Sequence, residues 1–133
     1  LTEEFLHEWY KKQEINRDIV EIAKILKKNG YKLFVLSNMA NLTYEYFKND
    51  EFFSLCTGII ISAHEHLIKP DKKVFRLLLD RYKLNAEECL LIDDDPSEEN
   101  YKTANKIGIK GRRIMPNKAE DVKKLLLEFE VKI

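Results

Sequence analysis

Three short stretches of the 133-residue chain bring together side chains able to do chemistry. Ser37-Asn38 offers a hydroxyl beside a carboxamide, Lys69-Pro70 an ammonium beside a helix-opening proline, and Asp93-Asp94-Asp95 three consecutive carboxylates. This is an inventory for a phosphate and a divalent cation. A hydroxyl and helix N-termini donate to phosphate oxygens, a lysine brings a point charge to phosphate, and carboxylates hold a hard cation such as Mg²⁺. Two carboxylates ~4 Å apart repel by about 4 kcal/mol at an effective dielectric near 20. Such a cluster after a buried strand is therefore either solvated loop or a metal site.

Each stretch also has a plainer reading. Ser37-Asn38 suits a helix N-cap, Lys69 an ordinary surface lysine, and Asp93–Asp95 turn chemistry ending in an N-cap. His64-Glu65-His66 has two imidazoles without a third ligand, a weak metal signal. Lys110, Arg112 and Arg113 read as a solvated basic face, and Trp9 with its aromatic neighbours as packing. Joint occurrence separates the first three from their plainer readings, because each follows a different predicted strand in one register.

Those strands, and the helices between them, follow from hydrophobic period and turn chemistry. Ile15, Ile19, Ile22, Ala23 and Leu26 recur at helical spacing, and Lys27-Lys28-Asn29-Gly30 ends that helix. Residues 2–12 and 41–49 also read as helices. Tyr31–Ser37, Thr57–Ser62 and Cys89–Asp93 are short apolar runs expected to be buried strands. Pro70 begins a helix reaching about Tyr82, with Val74, Phe75, Leu78, Leu79 and Tyr82 inward. Asn85–Glu88 resembles a capping box over a short turn. Asp95-Pro96 is expected to open a helix that ends at Gly108. Ile109–Ile114 reads as an edge strand, and Asn117–Glu120 as a capping box before a helix from Ala119 to Glu128. Strands alternating with helices imply a three-layer α/β/α, Rossmann-like parallel sheet. In such sheets ligands gather at the carboxyl ends of the strands, where the three stretches fall.

Composition narrows the function classes. The length suits one domain, and 44% hydrophobic residues are too many for a disordered chain. No apolar run approaches the ~20 residues that span a bilayer, so no membrane is expected. The 23 basic and 23 acidic residues cancel, leaving no global basic footprint for nucleic acid. Cys56 and Cys89 fit no metal or redox spacing and are expected to be buried thiols of a cytoplasmic protein.

The order Leu36-Ser37-Asn38, then Lys69-Pro70-Asp71 with Val74-Phe75, then Leu91-Ile92-Asp93-Asp94 followed by Asn100, Ala104 and Gly108, resembles the haloacid dehalogenase superfamily. It is most similar to the branch with a helical cap inserted after the first strand. The resemblance covers residues ~16–128. It implies a hydrolase, most simply a Mg²⁺-dependent phosphatase acting on a small phosphate monoester through an aspartyl-phosphate intermediate. By this likeness Ser37 holds the transferring phosphoryl group and Asn38 assists it. Lys69 neutralises phosphoryl and nucleophile charge, and Asp93 and Asp94 bind Mg²⁺. Residues 1–14 resemble the end of the cap, and residues 15–133 the core.

The sequence departs from the family pattern in two places. The family's nucleophile lies in an Asp-x-Asp motif at the end of a first strand upstream of the cap, and nothing before Ile15 resembles either. The chain also begins at Leu1 rather than Met. These features raise the expectation that an upstream segment or a second chain supplies the first strand, without which the sheet is incomplete. In the family sheet that strand lies between the one ending at Ser37 and the one ending at Asp93, so those two are not expected to pair directly. The second departure is the acidic loop. Counting back from Gly108 selects Asn100 as the family's asparagine, which leaves two extra residues after Asp94, and Asp94 and Asp95 could exchange roles. The rival readings are a non-catalytic relative that binds a ligand or partner, and a receiver domain. The receiver has its acidic pair first and its lysine last, the reverse of the order here. Dehalogenation also stays open, since the first-strand segment would help decide it.

Overall fold

A computed structural model describes residues 16–37, 41–66, 69, 71–93, 98–115 and 118–133. Its Cα positions divide into two compact units, one running to Glu65 and including Lys132–Ile133, the other His66–Val131. The expected boundary between residues 14 and 15 lies outside the described residues.

The first unit opens with helix α1, Arg17–Lys28. Asn16 caps it, its Oδ1 accepting from the Asp18 and Ile19 amides at 2.9 and 3.3 Å. The buried face is Val20, Ile22 and Ala23, one step round from the face expected, so Ile19 and Leu26 are only half-buried. The helix ends in a Schellman turn. Gly30, at φ +90°, donates to Lys27 O and Tyr31 to Leu26 O, and glycine takes that positive φ without a Cβ penalty.

Strand β1, Phe34–Ser37, pairs in parallel with β2, Gly58–Ile61, Ser37 lying opposite Ile61. Between them the helix expected over residues 41–49 is α2, Asn41–Phe47, and it is followed by a second short helix that the sequence reading lacked, α3, Glu51–Ser54. The separation of α2 from α3 has a local cause. Asp50 leaves the helical conformation to cap α3, accepting from the Phe52 amide at 3.0 Å, and it takes the Arg17 guanidinium at 2.6 Å. A one-turn helix, α4, Ser62–Glu65, follows β2 directly.

In the second unit, helix α5, Lys72–Arg81, starts two residues after the proline expected to begin it. Its cap is Asp71, which accepts from the Lys73 amide at 2.8 Å, and Pro70 lies outside the described residues. Val74, Phe75 and Leu78 are buried. A 3₁₀ turn at Ala86–Glu88, capped by Asn85, leads into β3, Leu90–Asp93. Strand β4, Lys110–Arg113, pairs with β3 in parallel, Asp93 lying opposite Arg113. Helix α6 is Glu99–Lys106, and the start expected for it at Asp95-Pro96 lies outside the described residues. It ends in a second Schellman turn at Gly108, φ +96°, with Gly108 donating to Asn105 O and Ile109 to Ala104 O. Helix α7, Ala119–Glu128, buries Val122, Leu125 and Leu126. Lys118, at its N-cap, makes no side-chain capping bond, and Asn117 of the expected box lies outside the described residues.

The architecture is thus α/β with parallel strands. The ladders are β1–β2 and β3–β4, and neither contains both the strand ending at Ser37 and the strand ending at Asp93. No described helix is long and apolar enough to cross a membrane.

Candidate functional site

Asp93 is the last residue of β3, and the pairing of that strand fixes where its side chain sits. Its own carbonyl accepts from the Ile114 amide at 2.9 Å, which holds the strand end against the continuation of β4. The side chain is buried, and that of Lys69 is 10% exposed. Lys69 Nζ donates to Asp93 Oδ1 at 3.4 Å. Asn100, in the first turn of α6 and 3% exposed, donates from Nδ2 to Asp93 Oδ2 at 3.0 Å. A carboxylate is therefore held between an ammonium and a carboxamide away from bulk water. Burying either charge alone would cost several kcal/mol, and the pair offsets this better because the second carboxylate oxygen is also engaged, here by Asn100.

The donor chemistry of this cluster is compatible with a phosphate. The Lys69 ammonium can meet an anion. The Asp93 carboxylate, with about four lone-pair positions, has capacity beyond its two protein partners. Mg²⁺ is held through one or two carboxylates together with phosphate oxygens and water, so this donor set fits it. Among the described residues there is no group of three or more His, Cys, Asp or Glu that could hold a metal without such help.

The five residues singled out in the sequence have different fates. Lys69 and Asp93 are in contact. Ser37 is half-buried at the carboxyl end of β1, within the first unit. Asn38 and Asp94 lie outside the described residues. Asn100, marked in the sequence as the asparagine of the family pattern by counting back from Gly108, is directly bonded to Asp93. The sequence signal for that bond was present, since an asparagine in the first turn after an acidic strand end can reach back to it.

His64, from the weak imidazole pair, is engaged otherwise. Its Nε2–H donates to Asn41 Oδ1 at 3.0 Å, and its ring meets the Tyr44 ring edge-on at 5.1 Å. The cysteines are half-buried rather than buried. Desolvation pushes the Cys56 thiol up to about 11, and raises that of Cys89 with help from the Glu88 charge. Neither is an activated nucleophile. The basic residues Lys110 and Arg112 are exposed, as expected, but both lie over the Phe129 ring, at 5.8 and 5.1 Å from its centroid.

The family model described as "Hydrolase: haloacid dehalogenase-like hydrolase" matches residues 3–99. The chain belongs to this family. Among curated proteins, this haloacid dehalogenase-like chain is 26% identical over 108 residues to "Bifunctional epoxide hydrolase 2" of Rattus norvegicus, covering 73% of the chain and 18% of that relative. Among solved structures it resembles "a predicted HAD-like family hydrolase from Porphyromonas gingivalis", with TM-score 0.80 and 21% identity, over 95% of this chain and 65% of that one. It also resembles a HAD family enzyme of Bacteroides thetaiotaomicron solved with magnesium and inorganic phosphate, with TM-score 0.60 and 23% identity, over 71% of this chain and 52% of that one. The chain thus spans about a fifth of its curated relative. The structural likenesses, all at low identity, show a shared fold.

Proposed function

We propose that this haloacid dehalogenase-like chain contributes the lysine and metal-binding half of a Mg²⁺-dependent phosphatase for small phosphate monoesters. The observation that carries the reading is the Lys69–Asp93–Asn100 cluster, with Asp93 and Asn100 buried, at the carboxyl end of β3. Support also comes from the family match and from a structural relative solved with magnesium and phosphate.

In this reading the nucleophile is an aspartate in an Asp-x-Asp strand supplied by an upstream segment or a second chain. Its carboxylate oxygen bonds to phosphorus as the alcohol departs, and water then hydrolyses the aspartyl phosphate and restores the carboxylate. Lys69 offsets the charge of the phosphoryl group. The Ser37 hydroxyl donates to a phosphoryl oxygen, with Asn38 beside it. Asp93, with Asp94, would hold Mg²⁺, which when bound supplies positive charge to the phosphate oxygens. Asn100 keeps the Asp93 carboxylate oriented.

One observation favours a second reading, a non-catalytic relative. Every buried side-chain nitrogen and oxygen among the described residues already has a hydrogen-bond partner, so no buried polar atom of the cluster needs a ligand to satisfy it. The test is hydrolysis of p-nitrophenyl phosphate with Mg²⁺, by the 133-residue chain and by a chain carrying an Asp-x-Asp strand ahead of Leu1. Expected is no turnover by the first and turnover by the second, lost in Lys69→Met. Turnover by the 133 residues alone, abolished by Asp93→Ala, overturns the supplied-nucleophile mechanism. Inactivity of both supports the non-catalytic reading.

A further inference from the structure

Helix α6 carries Asn100 to the candidate site, yet little apolar packing holds it there. Its buried residues are Asn100 and Ala104, whereas α1, α5 and α7 each bury three apolar side chains. Ala104 brings only a methyl group to the core. A helix of eight residues is also too short to persist by its own hydrogen bonds. Its place on the strands therefore depends on specific contacts, and Asn100 can reach Asp93 only if those contacts hold.

One such contact lies at the far end of the helix. The Gly111 amide of β4 donates to Asn105 Oδ1 at 2.8 Å, and Asn105 Nδ2 donates to the Gly111 carbonyl at 3.2 Å. A carboxamide has one acceptor and a paired donor, so a single side chain meets both backbone groups of the strand residue. Between the two asparagines the helix backbone lies directly on the strand. A Cβ at residue 111 would come within 2.6 Å of Tyr101 O and 3.1 Å of Tyr101 Cα, so glycine is needed for this approach. The anchors also match in spacing. Asp93 lies opposite Arg113, so Asp93 and Gly111 are one strand apart across the ladder and two residues apart along it. At ~3.3 Å per residue and ~4.8 Å between strands, that diagonal is about 8 Å. Asn100 and Asn105 are five residues apart in the helix, a rise of about 7.5 Å. A helix one residue out of register would offer Glu99 or Tyr101 to Asp93 in place of a carboxamide.

We infer that Asn105 is a positioning residue of the candidate site: by holding both backbone groups of Gly111 it sets the register of α6 on β3 and β4, and so places the Asn100 carboxamide on Asp93. It acts through Asn100 and is not itself a catalytic residue. Its consequence for turnover rests on the phosphatase reading, whereas its effect on Asn100 does not. Residue 105 is exposed, so its side chain can be removed without opening the core.

The test is a double-mutant cycle of Asn105→Ala and Asn100→Ala in the 133-residue chain, with far-UV circular dichroism confirming that each variant is folded. It is read by the urea unfolding midpoint and by NMR exchange of the Asn100 side-chain amide protons. Two side chains that act independently lower the midpoint additively. Expected instead is a double variant whose loss of midpoint is clearly smaller than the sum of the two single losses. In Asn105→Ala, Asn100 side-chain exchange is expected to speed up roughly fivefold or more relative to the backbone amides of α7, about the factor of one ordinary hydrogen bond. Asn105→Asp keeps the acceptor for the Gly111 amide and is expected to recover part of that protection; should Asn105→Ala fail to fold, Asn105→Asp takes its place in the cycle. Additive midpoints overturn the inference. So does Asn100 exchange that rises only as much as that of the α7 amides, which is what a merely structural role predicts. In a chain carrying an Asp-x-Asp strand ahead of Leu1, with Mg²⁺ and p-nitrophenyl phosphate, Asn105→Ala is expected to lower kcat by a factor similar to Asn100→Ala, and the double variant no further. A kcat lowered by Asn100→Ala but untouched by Asn105→Ala also overturns the inference. Absence of turnover from every chain removes the phosphatase reading, and the cycle still decides the role of Asn105.

Discussion

At Asp93 two partners do different work, and substitutions separate them. Removing Lys69 leaves a carboxylate buried with no counter-charge, and breaking a buried pair from one side costs about 3–5 kcal/mol. Removing the Asn100 amide leaves the charge pair intact and one lone-pair direction unmet, a loss of about 1–3 kcal/mol. Lys69→Ala is therefore expected to destabilise the protein more than Asn100→Ala, as the difference in urea unfolding midpoints would show. Equal losses would mean that the 3.4 Å contact contributes little beyond an ordinary hydrogen bond. Cys56 makes a separate prediction at this scale. With its thiol pushed up to about 11, roughly one molecule in a thousand is thiolate at pH 8, against about a quarter for a free cysteine. Labelling by a disulfide reagent at pH 8 should be at least tenfold slower in the folded chain than in urea. The residue identities at the site were legible because each chemically capable side chain follows an apolar run. Contacts were legible in one place only. Nothing in the sequence marks His64 as the partner of Asn41, since that bond depends on where tertiary packing places the start of α2 relative to a one-turn helix after β2.

Element boundaries were set by caps more than by hydrophobic period. Period located α1, α5 and all four strands, but it placed the start of α5 at Pro70, where the proline signal outweighed Asp71, whose carboxylate can cap the Lys73 amide. It also left out α3, which has only four residues and is marked by its cap, Asp50, whose side chain also binds Arg17. These bonds are testable. Asp71→Ala removes the cap of α5 and should cost about 1 kcal/mol, within the usual range for a lost N-cap. For Asp50, burial raises the carboxyl pKa, but the Arg17 hydrogen bond, the Phe52 amide and the Arg17 charge outweigh it, and the net shift is below the ordinary value of 3.8. The folded-state pKa being the lower one, Asp50 adds stability above pH 3.8, and that increment is lost as pH falls through the folded value. The increment is small because Arg17 is exposed. An acid titration of Asp50 followed by NMR should show it ionised below the range of an unfolded aspartate, and Arg17→Ala should bring it back up.

At the scale of the whole chain, family membership was legible from the order of Ser37, Lys69 and the aspartates, because order survives where spacing drifts. The division of the strands into two ladders was less so. The sequence gives four strands of parallel character, and which of them pair depends on contacts far apart in sequence. The observed ladders are two strands each, and a two-stranded sheet has little independent stability unless further strands or helices cover it. A strand that adds to such a ladder satisfies several backbone groups, each about 1–3 kcal/mol when buried and unmet. If the proposed Asp-x-Asp strand completes this fold, a chain that carries it ahead of Leu1 should melt at a temperature higher by about 10 °C or more, because each kcal/mol is worth roughly 2–8 °C at these sizes. The same chain should show slower amide exchange in β1 and β3, the strands the family sheet places on either side of it. Equal melting temperatures with unchanged exchange at both strands would mean that the 133 residues gain nothing from such a strand, and that the supplied nucleophile has no place to bind.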